Sequence, residues 1–596
     1  MARNSYPLVY PNPTPPGVRL FKNVPVEMRD GVILKADIYR PATGKGPWPV
    51  ILAYSSFPKE RFFESAKPGF YCPRGYVCVQ VAERGIAQNQ GQFTFQGPLA
   101  ARDGYDLVEW LADQPWCTGK VAMMGASGYG VMQWITAPLN PPHLKALVVL
   151  GTTDNYRGLC YPGGVLRKPF VLNLVSGLVQ GALWPGPVQG KQPPLDIVAG
   201  ILGHNEDGPF WWEHGGDARQ ISRIKVPILN LVQAPNRLHA PAQLRSYADI
   251  RSPKKLWITP WTNENYQPWI FETEAFNQQV LRWLDYWLKG EQNGIMDEPE
   301  VAIYDNGSGR WRYENEYPLK RTRWSEFFLQ AAGRSDGGAG LITRKAPRKN
   351  ARGHFYYNIS LNLAALASYG ANIESNQSVN GRPRHLIFVS EPLEADLTLC
   401  GPASLTLYAS TEEENTSDWS FFVKLGEMVP GGIPLNPVTG KAEMKPEISD
   451  PWVPKQVQIW SWGSLKTRLG AVNQRKSREG MPWHDFRRPQ ELKPNIPYKF
   501  EIELQPIFKT FKAGSRLWLK ISSDDALYST RDCSSRYVET PLVPEKNKIT
   551  LYLDAERPSR LVLPVIPEAA EIRPVESPLK DALPGAPRFL QYNRLP

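Results

Sequence analysis

One stretch, residues 119–134 (GKVAMMGASGYGVMQW), constrains this chain more than any other. Val121 to Met124 is a short apolar run. Gly125 and Gly128 then bracket a tight turn that carries a single serine, Ser127, and an apolar helical pattern follows. A strand, a glycine turn and a helix in that order lift a serine hydroxyl clear of a sheet, the geometry a nucleophile needs. Small residues at Gly125 and Gly128 allow the strained backbone and the approach of a substrate. The closing glycine is Gly130, three residues after Ser127 rather than two, so the plain G-x-S-x-G spacing is not met. A structural turn with an incidental serine is the alternative.

A chain of 596 residues is too long for one core and predicts two to four domains. Strand and helix signals alternate from about residue 20 to 160. Val32–Tyr39, Pro49–Tyr54 and Tyr76–Val81 read as strands, and Asp103–Ala112 as a helix with Leu107, Val108 and Leu111 near one face. Such alternation means an α/β sheet covered on both sides. The sheet resumes at Lys225–Val232 and Lys255–Ile258, and a helix over Phe276–Leu288 closes the unit. Residues 20–160 and 222–292 therefore form one split α/β domain. Residues 161–221, rich in Gly and Pro with Trp184, Trp211 and Trp212, suit a helical cap. Period-two patterns at Leu397–Tyr408, Tyr498–Leu504 and Arg516–Ile521 predict a β-sandwich over 297–566, followed by a Pro-rich tail, 567–596.

The net charge of +11 is modest for this length. Its densest basic cluster, Arg344, Lys345, Arg348, Lys349 and Arg352, comes with no binding motif and reads as a solvated loop, which argues against nucleic acid. Six irregularly spaced cysteines indicate neither a disulfide framework nor a metal site, and no cofactor is called for. The start has no apolar signal segment and no run is long enough to cross a bilayer, so a cytoplasmic protein without membrane contact is expected. A homodimer is compatible with these features.

Several segments together resemble the CocE/NonD family, the cocaine-esterase and X-prolyl dipeptidyl-peptidase hydrolases. They are Asp30-Gly31-Val32 to Tyr39-Arg40-Pro41, Arg84-Gly85 with Gly91-Gln92-Phe93, and Asp106 to Trp116-Cys117. The elbow, Tyr161-Pro162-Gly163-Gly164, Trp283 to Gly290 and Phe511-Lys512-Ala513-Gly514 complete the set. The resemblance spans residues 22 to 565. It implies an α/β-hydrolase domain with a helical cap, a C-terminal jelly-roll sandwich, and a small-molecule or peptide substrate.

The family's chemistry needs a serine, a histidine to take its proton and a carboxylate to orient that histidine. By the resemblance, the acid slot falls on Asn236 in Ala234-Pro235-Asn236, and the histidine slot on Asn263 in Pro260-Trp261-Thr262-Asn263. The tyrosine that donates to the oxyanion is replaced by Phe57 in Ser56-Phe57-Pro58-Lys59. An amide has no basic nitrogen, and losing the base costs roughly 10⁴ in rate in such systems. Ser127, the Gly128 N–H and a pocket remain, with Tyr129 beside them and Tyr54 as a substitute hydroxyl. His239, three residues past Asn236, and Glu264, next to Asn263, are candidate replacement bases, and Asp154 follows a strand end near the elbow.

Three functions fit. The first is an enzyme whose Ser127, Asn236 and Asn263 hydrogen-bond a small organic substrate, for cyclisation, isomerisation, elimination or acyl transfer. The second is an ester or amide hydrolase that uses Ser127 with His239 or Glu264 as base. The third is a catalytically silent protein that binds a ligand or a partner. Fold does not decide among them.

Overall fold

The computed structural model describes residues 14–59, 67–153, 156–167, 170–183, 188–214, 218–234, 239–260, 274–332, 339–348, 350–356, 378–379, 382–383, 385–412, 419–429, 457–523 and 548–567. Ten strands form the first sheet: β1 (Val18–Glu27), β2 (Ile33–Pro41), β3 (Trp48–Ser55), β4 (Val77–Ala82), β5 (Cys117–Ala126), β6 (Leu144–Leu150), β7 (Ile228–Ala234), β8 (Lys254–Pro260), β9 (Val301–Asp305) and β10 (Arg310–Glu314). Their order is β1-β2-β4-β3-β5-β6-β7-β8-β9-β10. From β4 to β9 neighbouring strands run parallel, while β1, β2 and β10 join antiparallel at the edges. β3, β4 and β7 are buried along their whole length or nearly so, as parallel strands covered on both faces must be.

A single turn, α1 (Pro68–Tyr71), leads into β4. Helix α2 (Pro98–Ala112) precedes β5, and α3 (Gly128–Thr136) follows it. Helix α2 starts five residues before the predicted Asp103, because Pro98 occupies its first turn, where a missing N–H costs nothing. Between β6 and β7 lie α4 (Tyr156–Cys160), α5 (Ser176–Leu183), α6 (Ile197–Gly203) and α7 (Pro209–Glu213), the last three within the segment 161–221 expected to form a cap. Helix α8 (Ala240–Asp249) joins β7 to β8, and α9 (Glu274–Leu284) precedes β9.

Residues 301–314, which patterning assigns to the sandwich, are β9 and β10 of the first sheet, β9 pairing with β8 through Val301, Ala302 and Ile303. The sandwich strands begin instead at Arg323–Ala331. Alternation within five residues cannot say which of two sheets a strand joins. The predicted strands Leu397–Tyr408 and Tyr498–Leu504 are longer, Leu397–Thr411 and Tyr498–Phe511, and they pair with each other antiparallel.

The family motifs prove mostly architectural. Arg84 joins Asp30 (2.8 Å) to buried Asp103 (2.7 Å from Nε), tying the start of β2 to α2. Gly85, at φ +72°, lies so close to Phe93 that a Cβ would stand 2.2 Å from its amide nitrogen. The Pro162-Gly163-Gly164 turn presses on the sandwich, with Ser464 Oγ donating to the Pro162 carbonyl at 3.0 Å.

Candidate active site

Strand β5 ends at Ala126 and α3 begins at Gly128, which leaves Ser127 alone in the turn with φ 54° and ψ −117°. Only a closely held turn keeps a non-glycine residue there. The Ser127 N–H donates to the carbonyls of Leu150 and Gly151, both at 3.0 Å. Its own carbonyl accepts from the amides of Gly130 and Val131 and from Thr152 Oγ1 at 2.9 Å. Each glycine of the motif has a neighbour that requires it. A Cβ on Gly125 would stand 2.4 Å from Tyr129 Cβ, and one on Gly130 2.6 Å from Thr152 Cβ. The late third glycine thus lets α3 pack against the end of β6.

Gly128 faces Phe57, whose Cε2 would be 2.8 Å from an added Cβ. Phe57 therefore lies at the start of α3, where backbone N–H groups have no intrahelical acceptor. The residue is buried and brings no hydroxyl to that point. Tyr129 is buried in the same core cluster as Phe57. Tyr54 belongs to another, with Leu107 and Val108 of α2, and its hydroxyl meets no hydrogen-bond partner among the described residues. It is a core tyrosine packed with α2.

Two polar networks hold this turn, and neither is visible in sequence patterning. Glu83, fully buried just past β4, accepts from Ser56 Oγ at 2.7 Å and from the Gln96 amide at 3.0 Å. Gln96 Nε2 in turn donates to the Gly128 carbonyl at 3.4 Å. On the other side Gln243 of α8 accepts from the Thr152 amide at 3.0 Å and donates to Asn230 Oδ1 of β7 at 2.5 Å. The signal that finds them is position: Glu83 and Thr152 both sit just beyond the carboxyl ends of parallel strands, where α/β sheets place their sites.

Burial pushes the Glu83 carboxyl up to about 7, against the lowering effect of its bonds from Ser56 and Gln96. A raised folded value means the group favours the fold below its ordinary 4.5 and that this contribution is lost as pH rises through about 7. The full swing is roughly 3 kcal/mol. Glu83→Gln mimics the protonated acid, so its thermal midpoint relative to the parent should rise from pH 5 to about pH 7 and level off above that. An offset that does not change with pH would contradict this.

His239 caps α8 and is buried beside the turn, its Cδ2 3.8 Å from where a Cβ of Gly151 would be. Burial, and then the Arg167 guanidinium, pull its imidazole down to about 3. Four other histidines make bonds elsewhere: His143 with Glu109 (2.7 Å), His204 with the Gly200 carbonyl, His214 with that of Thr94 and His484 with that of Glu501. Among the described residues nothing hydrogen-bonds the Ser127 side chain, which is half-buried. Asn236, Asn263, Glu264 and Asp154 lie outside the described residues. No cluster of three His, Cys, Asp or Glu able to hold a metal occurs among the described residues. Nor is any helix among them long and apolar enough to cross a membrane.

Residues 30–263 match the family model of the X-Pro dipeptidyl-peptidase (S15 family), and residues 293–562 match that of the X-Pro dipeptidyl-peptidase C-terminal non-catalytic domain. The chain belongs to the CocE/NonD, X-Pro dipeptidyl-peptidase-like family. Cocaine esterase from Rhodococcus sp. (strain MB1 Bresler) is 25% identical over 469 residues, 69% of this chain and 80% of the esterase. A CocE/NonD family hydrolase from Staphylococcus aureus superposes with a TM-score of 0.73 at 21% identity, covering 92% of this chain and 93% of its own. An alpha-amino acid ester hydrolase gives 0.67 at 20% identity, over 94% of this chain and 99% of its own. The fold is thus an α/β-hydrolase domain with a C-terminal β-sandwich, and the CocE/NonD family is one of hydrolases.

Proposed function

We propose that this CocE/NonD protein is an enzyme acting on a small organic substrate without Ser–His–Asp hydrolysis, through cyclisation, isomerisation, elimination or acyl transfer. The observation that carries this is the electrostatic setting of His239. In a triad a carboxylate stabilises the imidazolium that forms when serine gives up its proton. Among the described residues the charged group acting on the buried imidazole is Arg167, which opposes that cation, and burial with this charge holds the imidazole at about 3. A base works best when its value lies near the working pH, so His239 is a poor proton acceptor and a good neutral hydrogen-bonding group. The family register adds Asn236 and Asn263 in the acid and base slots, both amides.

In this proposal Ser127, the Gly128 N–H, Asn236 and Asn263 polarise a carbonyl and hold one reactive conformer of the substrate. Glu83 and Gln243 fix the two sides of the elbow and so position that set. Turnover of p-nitrophenyl acetate and of an X-Pro p-nitroanilide tests it. The rates are expected to be near background and the same in Ser127→Ala. A parent rate about 10²-fold or more above that of Ser127→Ala would instead establish a hydrolase.

A further inference from the structure

A cavity of about 740 Å³ lies where the cap, helix α8 and the sandwich meet. It reaches Thr153, next to the threonine that bonds Ser127, yet Ser127, Phe57 and Tyr129 are not among its described lining residues. Tyr161, Trp211, Trp212, Trp462, Trp483 and Phe486 give it aromatic walls. Its four carboxylates are all engaged by cations of the same lining. Asp207 pairs with Arg487 (3.2 Å), Asp249 with Arg478 (2.7 Å), Asp485 with Lys476 (3.3 Å) and Glu503 with Arg245 (2.5 Å).

Arg157 of α4 stands apart from these pairs. It is 4% exposed, and its guanidinium lies 4.0 Å over the Phe486 ring. One Nη donates to the Asn205 carbonyl at 2.7 Å, and Nε meets no acceptor among the described residues. Among the described residues no carboxylate comes within ion-pair distance of it. Burial therefore pulls the guanidinium down to about 10, with Asp207 and the other nearby charges offsetting only part of that. A buried cation without a counterion is costly to the fold, and an anion entering the cavity would remove that cost. The lining carries eight Lys and Arg side chains against its four carboxylates, so its excess of positive charge matches an anion, and the indole walls match a flat ring.

We propose that this cavity is a binding site for a small aromatic carboxylate, its anion on Arg157 and its ring among Trp211, Trp212 and Trp483. The proposal is independent of the chemistry at Ser127. Titration of the full chain with 1-naphthoate, followed by tryptophan fluorescence, tests it against the neutral 1-naphthalenemethanol and against inorganic phosphate. One saturable site for naphthoate is expected, with the alcohol weaker by about tenfold or more and phosphate unable to compete. Arg157→Met should weaken naphthoate by about tenfold, and Arg157→Lys by less. Trp483→Ala, which leaves Arg157 in place, should weaken it as well, so a misfolded Arg157 variant does not blunt the test. Equal binding of acid and alcohol, undiminished binding in folded Arg157→Met, effective competition by phosphate, or a naphthoate-soaked crystal with the carboxylate away from Arg157 would each overturn the proposal.

Discussion

Replacing Asn236 with Asp, Asn263 with His and Phe57 with Tyr in one molecule is expected to raise esterase activity on p-nitrophenyl acetate by about 10²-fold or more over the parent. By the proposed register, the first two changes put a carboxylate and an imidazole in the acid and base slots, two residues past the end of β7 at Ala234 and three past the end of β8 at Pro260. They must be made together, since a lone histidine has nothing to orient it or to stabilise its charged form. The third adds a phenol hydroxyl to the ring packed against Gly128, and one oxyanion donor contributes about 3 kcal/mol in comparable sites. The gain should fall well short of a natural hydrolase, because His239 and Arg167 remain. Native activity that depends on neutral amides should be lost in the same variant. A folded triple variant with no esterase gain and unchanged native activity would place the site elsewhere.

Gly163→Ala should be the most damaging small substitution outside the elbow. A Cβ there would stand 1.8 Å from the Ser464 carbonyl oxygen and 2.5 Å from its carbon, backbone atoms that no rotamer change can move. The residue also has φ +60°, which disfavours any Cβ. Overpacking and strain together should cost about 3 kcal/mol or more and loosen the cap from the sandwich. Gly203→Ala is the control: nothing lies within 4 Å of its Cβ, it ends helix α6, and alanine there should be neutral or gain up to about 1 kcal/mol. Thermal midpoints of the two variants check both values, and equal midpoints would show that the Pro162-Gly163-Gly164 contact does not hold the two parts together.

What the chain makes legible is what local physics determines. The elbow was readable because its glycines are forced by contacts a few residues away, Gly125 by Tyr129 and, across one strand, Gly130 by Thr152. Strands β3, β4 and β8 were readable because both faces are buried and their apolar runs are unbroken or nearly so. β9 and β10 were misassigned because membership of a sheet is a long-range fact: Val301 answers to Leu256 and Arg310 to Asp305, and neither pairing leaves a mark in a five-residue pattern. Glu83, Gln96 and Gln243 escaped for a related reason. Each is a polar residue whose partner lies 13 to 91 positions away, so only the folded chain shows that they brace the serine. Tyr54 and His239 show the reverse case, in which residue type leaves the role open until the environment is known. Burial places the first in the α2 core, and it leaves the second facing an arginine.

If the proposed function holds, Ser127 has no group able to take its proton. Incubation with a fluorophosphonate, read by intact mass between pH 6 and 9, tests it most directly, because the reagent reports the nucleophile whatever the natural substrate is. No adduct on the parent is predicted, and one adduct per chain on the Asn236→Asp, Asn263→His, Phe57→Tyr variant. Rapid stoichiometric labelling of the parent, abolished by Ser127→Ala, would contradict the account and make the protein a working serine hydrolase.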